Sequence, residues 1–173
     1  LIHFLDNAVS PALLEEFPAH PPGADWYGFA RIGEQLADPE FCVSLRKSGC
    51  VMLKLGIESG DQEVLDALGK GITVDTASRA LRNLKEAGIA TYVYLLFGTP
   101  AESEAAAENT LDFTVQHAGC IDFLNLALFN MPKHGCNWPG ITMKDFSEGD
   151  LSLYADFEHP EGWGRKEVRL FLD

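Results

Sequence analysis

The sequence predicts an α/β protein built around a parallel sheet, and three observations carry that reading. Strand-like apolar runs alternate with amphipathic helix patterns along the chain. The runs Cys50–Ile57 and Ile89–Phe97 are almost continuously apolar, as strands buried on both faces of a parallel sheet are. The first run closes in Gly56-Ile57-Glu58-Ser59-Gly60, which puts a carboxylate and a hydroxyl at a C-terminal strand end, where such sheets hold ligands.

The elements follow in order. Residues 2–6 form a short strand that ends at Asp6-Asn7-Ala8. Ser10-Pro11 opens a helix, with serine as cap and proline at the first position. After a proline-rich connection, the aromatic stretch Trp26–Ile32 reads as a second strand. Asp38-Pro39-Glu40 starts a helix that stops before Gly49, and Cys50–Ile57 is the third strand. Gly60 lets the chain turn, and Asp61 caps a short helix over residues 62–68. Thr73 or Asp75 caps the next helix, in which Ala77, Ala80, Leu81, Leu84 and Ala87 form one apolar face and Gly88 is the stop. Ile89–Phe97 is the fourth strand, and Gly98-Thr99-Pro100-Ala101-Glu102 is the turn beyond it. Residues 104–117 are helical, and Ile121–Phe129 is the fifth strand, followed by Asn130-Met131-Pro132. From Lys133 the chain is rich in glycine, proline and charge, with a short helix expected near residues 147–155 and a tail without defined structure.

This alternation leaves two solutions, an open doubly wound sheet or part of a barrel. The first strand carries no glycine-rich phosphate fingerprint, which argues against the ordinary dinucleotide-binding fold. Composition narrows the partners. The 26 acids against 13 bases give a net charge of −13, which speaks against nucleic acid. Lys70, Arg79, Arg82 and Lys85 read as the solvated side of a helix. No run is long enough for a membrane span, and with no secretory signal the cytoplasm is expected. The four cysteines, Cys42, Cys50, Cys120 and Cys136, are too far apart in sequence for a metal knuckle and are expected as reduced thiols. His134 and Cys136 alone make a weak metal pair.

A parallel sheet would gather its C-terminal strand ends on one rim: Asp6 and Asn7, Arg31, Glu58 and Ser59, Gly98 to Glu102, and Asn130. Carboxylates suit ribose hydroxyls or an ammonium group, and Arg31 suits a carboxylate, so the rim fits a small zwitterionic or nucleoside ligand. It has no nucleophile with an adjacent base. Lys54, the one lysine inside a strand, lies too far from the strand end for a Schiff-base enzyme. Simpler readings exist beside these: Glu58 paired with Lys70, Arg31 in a surface ion pair, and Glu102 as a first-turn helix acid.

The sequence resembles the radical S-adenosylmethionine (SAM) superfamily, iron–sulfur oxidoreductases, and within it the branch often joined to a cobalamin-binding domain. Five pieces in order carry the resemblance: Gly56-Ile57-Glu58-Ser59-Gly60, Val64-Leu65, Lys70-Gly71-Ile72-Thr73, Leu84-Lys85-Glu86-Ala87-Gly88-Ile89 and Phe97-Gly98-Thr99-Pro100-Ala101-Glu102. The resemblance implies a partial (β/α)6 TIM-like barrel, of which this chain would supply strands two to six within residues 1–132, with residues 133–173 as a C-terminal extension. In the family a [4Fe-4S] cluster on a three-cysteine loop cleaves SAM reductively, and a 5'-deoxyadenosyl radical then attacks the substrate. By position, Asp6 and Asn7 would meet the methionyl ammonium, where the family usually carries Gly-Gly-Glu. Glu58 and Ser59 would meet ribose or the methionine end, and Lys70 the carboxylate. Gly98, Thr99 and Pro100 would lie beside adenine, with Asn130 and Met131 lending backbone to it. The three-cysteine loop, with steps of four and three residues, does not occur in these 173 residues. The expectation is therefore a fragment of an enzyme, inactive alone, with a small-molecule cofactor, an unknown substrate and an exposed first strand prone to self-association. The alternative is a binding module that has lost the cluster.

Overall fold

The computed structural model describes residues 1–134, 138, 140–145 and 153–173. Five strands, β1 (Ile2–Val9), β2 (Trp26–Ala30), β3 (Cys50–Glu58), β4 (Ala90–Phe97) and β5 (Phe123–Leu128), form one sheet in the order β1-β2-β3-β4-β5. Every neighbouring pair is parallel. A doubly wound sheet reverses its strand order at a switch point. This one never does, so each crossover returns on the same side and the sheet is the wall of a partial barrel.

The helices between the strands are α1 (Pro11–Glu16), α2 (Pro39–Lys47), α3 (Gln62–Ala67), α4 (Val74–Ala87) and α5 (Glu104–Gln116). Five starts are fixed by side chains that accept from backbone N–H groups: Ser10 from Leu13, Asp38 from Glu40, Asp61 from Val64, Thr73 from Thr76 and Ser103 from Ala106. The helices cover one face of the sheet. Leu53, Leu55 and Ile57 of β3 meet Leu81 and Leu84 of α4 and Leu45 of α2 in a core where all six are 0% exposed. At about 2 kcal/mol for each fully buried side chain of this size, that outer layer dominates the stability.

The opposite face is different. Lys54, Gly56, Tyr92 and Tyr94 are only half-buried, and burial along β4 alternates residue by residue. The expectation of strands buried on both faces is corrected here. Among the described residues no second layer packs on the inner face, so the aromatic side chains there keep some exposure.

Further corrections concern boundaries and the tail. β1 runs to Val9 rather than ending at residue 6, with an irregular step between Phe4 and Val9 in its pairing. The last strand of the sheet starts at Phe123, because Ala118–Cys120 close a 3-10 turn first. The helix expected near 147–155 lies mostly outside the described residues. Its described end belongs to β8 (Tyr154–Phe157), which pairs antiparallel with β6 (Met131–Pro132) and β7 (Met143–Asp145). The tail is structured: α6 (Arg165–Leu172) packs Val168 into the main core, together with Trp163. Among the described residues no helix is long and apolar enough to cross a membrane.

Candidate functional site

An open cavity of about 870 Å³ lies at the C-terminal ends of β1, β2, β3 and β4, reaching Ala127 of β5. Its lining includes Asn7, Arg31, Gly56, Glu58, Lys70 and Tyr94. The size is at the upper end of the range for small-molecule sites, roughly 300–1,000 Å³.

Glu58 is the centre of it. Between Gly56 and Glu58 the β3–β4 register slips by one residue, so that Gly56 opposes Tyr94 while Glu58 opposes Leu95. Ile57 is the extra residue of a bulge, a device that re-aims a side chain near a site. Glu58 also has φ +72°, the only described non-glycine residue with positive φ. Its Oε1 accepts from Lys70 Nζ at 3.1 Å, with about a quarter of each side chain exposed (25% and 28%). A left-handed non-glycine residue costs about 1–3 kcal/mol, whereas a partly exposed ion pair returns at most about 1 kcal/mol. Stability alone therefore does not account for glutamate here. Gly56 leaves room for this pair: a Cβ on it would lie 2.6 Å from Glu58 Oε1 and 3.5 Å from Lys70 Nζ.

The turn after Glu58 is clamped from behind. Ser59 is 1% exposed and its Oγ shares a 3.0 Å hydrogen bond with Thr110 Oγ1 of α5. The Gly60 N–H donates to the same hydroxyl at 3.0 Å, and the Asp61 N–H donates to Ser59 Oγ at 3.1 Å. A Cβ at Gly60 would lie 2.5 Å from Phe113 Cβ and 2.9 Å from the Thr110 Cα. Ser59 thus holds the loop, and Glu58 faces the cavity.

The sequence-predicted residues separate into two groups. Asn7, Arg31, Glu58 and Lys70 come together around the cavity. Arg31 is exposed and forms no ion pair among the described residues. Asp6 is exposed and outside the lining. Ser59, Thr99, Glu102 and Met131 are at most 1% exposed. Gly98 has φ +78°, with Val168 of α6 3.3 Å from where its Cβ would be. Glu102 Oε2 accepts from the Gly98 N–H and, at 2.9 Å, from Trp163 Nε1, while Oε1 has no partner. Burial above all pushes this carboxyl above its usual range, against the lowering effect of those two bonds. His159 Nε2 bonds the Thr99 carbonyl at 2.9 Å, so the Gly98–Pro100 turn is covered by the tail. Asn130 is tied up too: it donates to the Leu128 carbonyl and accepts from Arg165. Tyr94 was missed as a lining residue. The period-two spacing of Tyr92 and Tyr94 was the available signal, since it puts both rings on the inner face.

The fold and rim define a barrel-type α/β protein with a polar-lined cavity at the C-terminal strand ends. Residues 29–114 match the family model of the radical SAM superfamily, and the chain belongs to that superfamily. It is 30% identical over 96 residues to the anaerobic magnesium-protoporphyrin IX monomethyl ester cyclase of Rubrivivax gelatinosus, a match covering 56% of this chain and 17% of that protein. It is 30% identical over 83 residues to the bacteriochlorophyllide d C-12(1)-methyltransferase of Chlorobaculum tepidum, covering 47% and 18%. The chain spans 11% to 18% of the length of the curated relatives it matches. In fold it is similar to the radical SAM methyltransferase TsrM of Kitasatospora setae, solved with cobalamin and a [4Fe-4S] cluster, with TM-score 0.62 and 20% identity over 85% of this chain and 31% of that one.

The described cysteines do not fit a cluster. Cys42 and Cys50 are 0% exposed and Cys120 is partly buried, and none lines the cavity. Cys50 opens β3 and Cys120 precedes β5, both at the end of the sheet away from the rim, while Cys42 lies on α2. Burial, with Asp38 nearby, pushes the Cys42 thiol up to about 12, and burial also raises Cys50. Cluster ligands must be thiolates, whereas burial favours the thiol form at Cys42 and Cys50. Among the described residues no group of three His, Cys, Asp or Glu could hold a metal ion. Cys136 lies outside the described residues, so the sequence pair His134 and Cys136 is not placed.

Proposed function

We propose that this chain is the SAM-binding wall of a radical SAM enzyme and that the cluster ligands are supplied from outside its 173 residues. The observation that carries this reading is the strained, bulge-presented Glu58 beside Lys70 in a cavity at the rim. SAM offers two hydroxyls, an ammonium, a carboxylate and an adenine, and when bound it supplies the sulfonium chemistry of this superfamily. Glu58 would accept from its hydroxyls or ammonium. Lys70 and Arg31 would hold its carboxylate, with Asn7 able to donate or accept at the same edge. Tyr94 and Phe29 would shield it from water on the inner side.

The relatives extend the reading. TsrM was solved with cobalamin, and its likeness in fold supports cobalamin as a further cofactor of the whole protein. The cyclase and methyltransferase matches support oxidoreductase or methyl-transfer chemistry on a substrate that the rim alone does not select. The misplaced cysteines also support a second reading, a binding module without radical chemistry that uses the same rim.

Calorimetric titration of SAM into the chain tests the proposal. Binding should weaken at least tenfold in Glu58→Gln and in Lys70→Met, with unchanged circular dichroism. Absent binding at millimolar SAM, or equal affinity in both variants, would overturn it. A triplet of cysteines with steps of four and three in the intact gene product would then separate the enzyme from the module.

A further inference from the structure

The inner face of the sheet carries a row of side chains in register across four strands: Phe29 opposes Lys54, Lys54 opposes Tyr92, and Tyr92 opposes Phe123. The rings form a connected set. Tyr92 stacks on Tyr94 at 4.8 Å and 22°, Phe29 approaches Tyr94 at 5.4 Å, and Tyr92 approaches Phe123 at 5.7 Å. Lys54 Nζ lies 5.0 Å from the Phe29 ring centre and 5.3 Å from that of Tyr27.

None of these residues belongs to the hydrophobic core, and Phe123 is 55% exposed. A dry core would have no use for an ammonium group. Lys54 has no carboxylate partner among the described residues, in a chain with twice as many acids as bases. On the described inner-face strand positions Glu58 is the one carboxylate, and Lys70 already neutralises it. The face is therefore locally cationic and aromatic, with Arg31 at its upper edge. Its breadth matters as well. Strands about 4.8 Å apart put Phe29 and Phe123 about 14 Å from each other, wider than a single ring.

We propose that this face binds the substrate, and that the substrate is a broad, planar, conjugated molecule bearing a carboxylate. Its plane would lie on the Phe29, Tyr92 and Phe123 rings, and its carboxylate would meet Lys54. This rests on the reading of the rim above it as the SAM site.

Protoporphyrin IX, a planar dicarboxylate, is the probe, with suberate as the flexible, non-aromatic control. Its absorption and fluorescence are followed as it is titrated into the full chain, and SAM is titrated into the same samples. The expected result is protoporphyrin binding that weakens at least tenfold in Lys54→Gln and several-fold in Phe123→Ala, with SAM affinity kept in both. Phe123 is exposed enough that its substitution leaves the fold intact, so one variant survives even if Lys54→Gln does not fold. Protoporphyrin binding equal in wild type and in the folded variants, binding no tighter than that of suberate, or no binding at all would overturn the proposal. If SAM still binds in those cases, the cofactor reading stands. If protoporphyrin binds as predicted and SAM does not, the rim reading fails and the planar-acid face remains.

Discussion

Replacing Glu102 with alanine should cost the fold about 3 kcal/mol, although the residue lies outside the cavity lining. Its Oε2 accepts from two buried donors, the Gly98 N–H and Trp163 Nε1. Leaving a buried donor unsatisfied costs about 1–3 kcal/mol each, so the two together cost about 4. Losing the one buried methylene between Cβ and the carboxyl adds about 0.8 kcal/mol. Removing a carboxyl whose Oε1 has no partner returns about 2 kcal/mol. The net figure corresponds to a fall in Tm of about 6–12 °C for a chain of this length. Glu102→Gln keeps a carbonyl oxygen for both donors and should stay within about 1 kcal/mol of wild type. pH gives a second reading. The Glu102 carboxyl is raised in the fold, mainly by burial. The folded state therefore holds its proton more tightly, and this contribution is full below the ordinary value of 4.5 and is lost as pH rises through the folded one. Wild-type stability relative to Glu102→Gln should accordingly fall from pH 4.5 toward pH 8. Urea unfolding followed by tryptophan fluorescence across that range measures both effects. A loss below 1 kcal/mol in the alanine variant, or a wild-type to Gln difference flat with pH, would refute the reasoning.

Three other outcomes follow from the same geometry. Glu58→Gly should fold as well as wild type or up to about 1 kcal/mol better, since glycine relieves the φ +72° strain, while SAM binding drops at least tenfold; parallel urea melts and calorimetry check the split. Gly60→Ala should destabilise by about 1–3 kcal/mol or more, because the added methyl meets Phe113 Cβ and the Thr110 backbone, which cannot rotate away; thermal melts read it. Leu5 on edge strand β1 is 83% exposed, so Leu5→Lys should lower the average mass seen by light scattering at high concentration, and a wild type that is already monomeric there removes the expectation of self-association.

What was legible in the sequence was local. Asp38-Pro39-Glu40 and Gly88 announce the ends of helices, and those ends are where the structure has them. Gly56 to Gly60 announced the loop at the end of β3. The bulge did not show, because it exists only in the pairing with β4. Ser59 reads as a ligand contact in sequence because Thr110, its partner, is 51 residues away. Glu102 and Trp163 meet across 61 residues with no local signal on either side. The tail is hard to read for the same reason: Trp163 stands between two glycines and Val168 follows a charged run, and neither shows locally which core it completes. The inner aromatic row was half legible. Tyr27-x-Phe29 and Tyr92-x-Tyr94 alternate with period two, but only the register aligns them with Lys54.

The two faces of β3 explain how the chain can keep a strained site. Leu53, Leu55 and Ile57 point outward into the fully buried core, and Lys54, Gly56 and Glu58 alternate with them on the inner face. Burial of the first set, at about 2 kcal/mol per side chain, exceeds severalfold the roughly 1–3 kcal/mol that Glu58 costs. Because the two sets share one backbone, the outer residues also fix where the inner ones stand. The bulge at Ile57 and the Ser59–Thr110 clamp then set the final residue, so Glu58 is held from both sides of its own peptide rather than by the ion pair it makes. Lys70 is consequently a partner that a ligand can exchange: breaking a pair worth at most about 1 kcal/mol leaves Glu58 in place and frees both charges for a zwitterion. A site organised this way gains affinity from preorganisation, because the ordering was already done when the sheet folded.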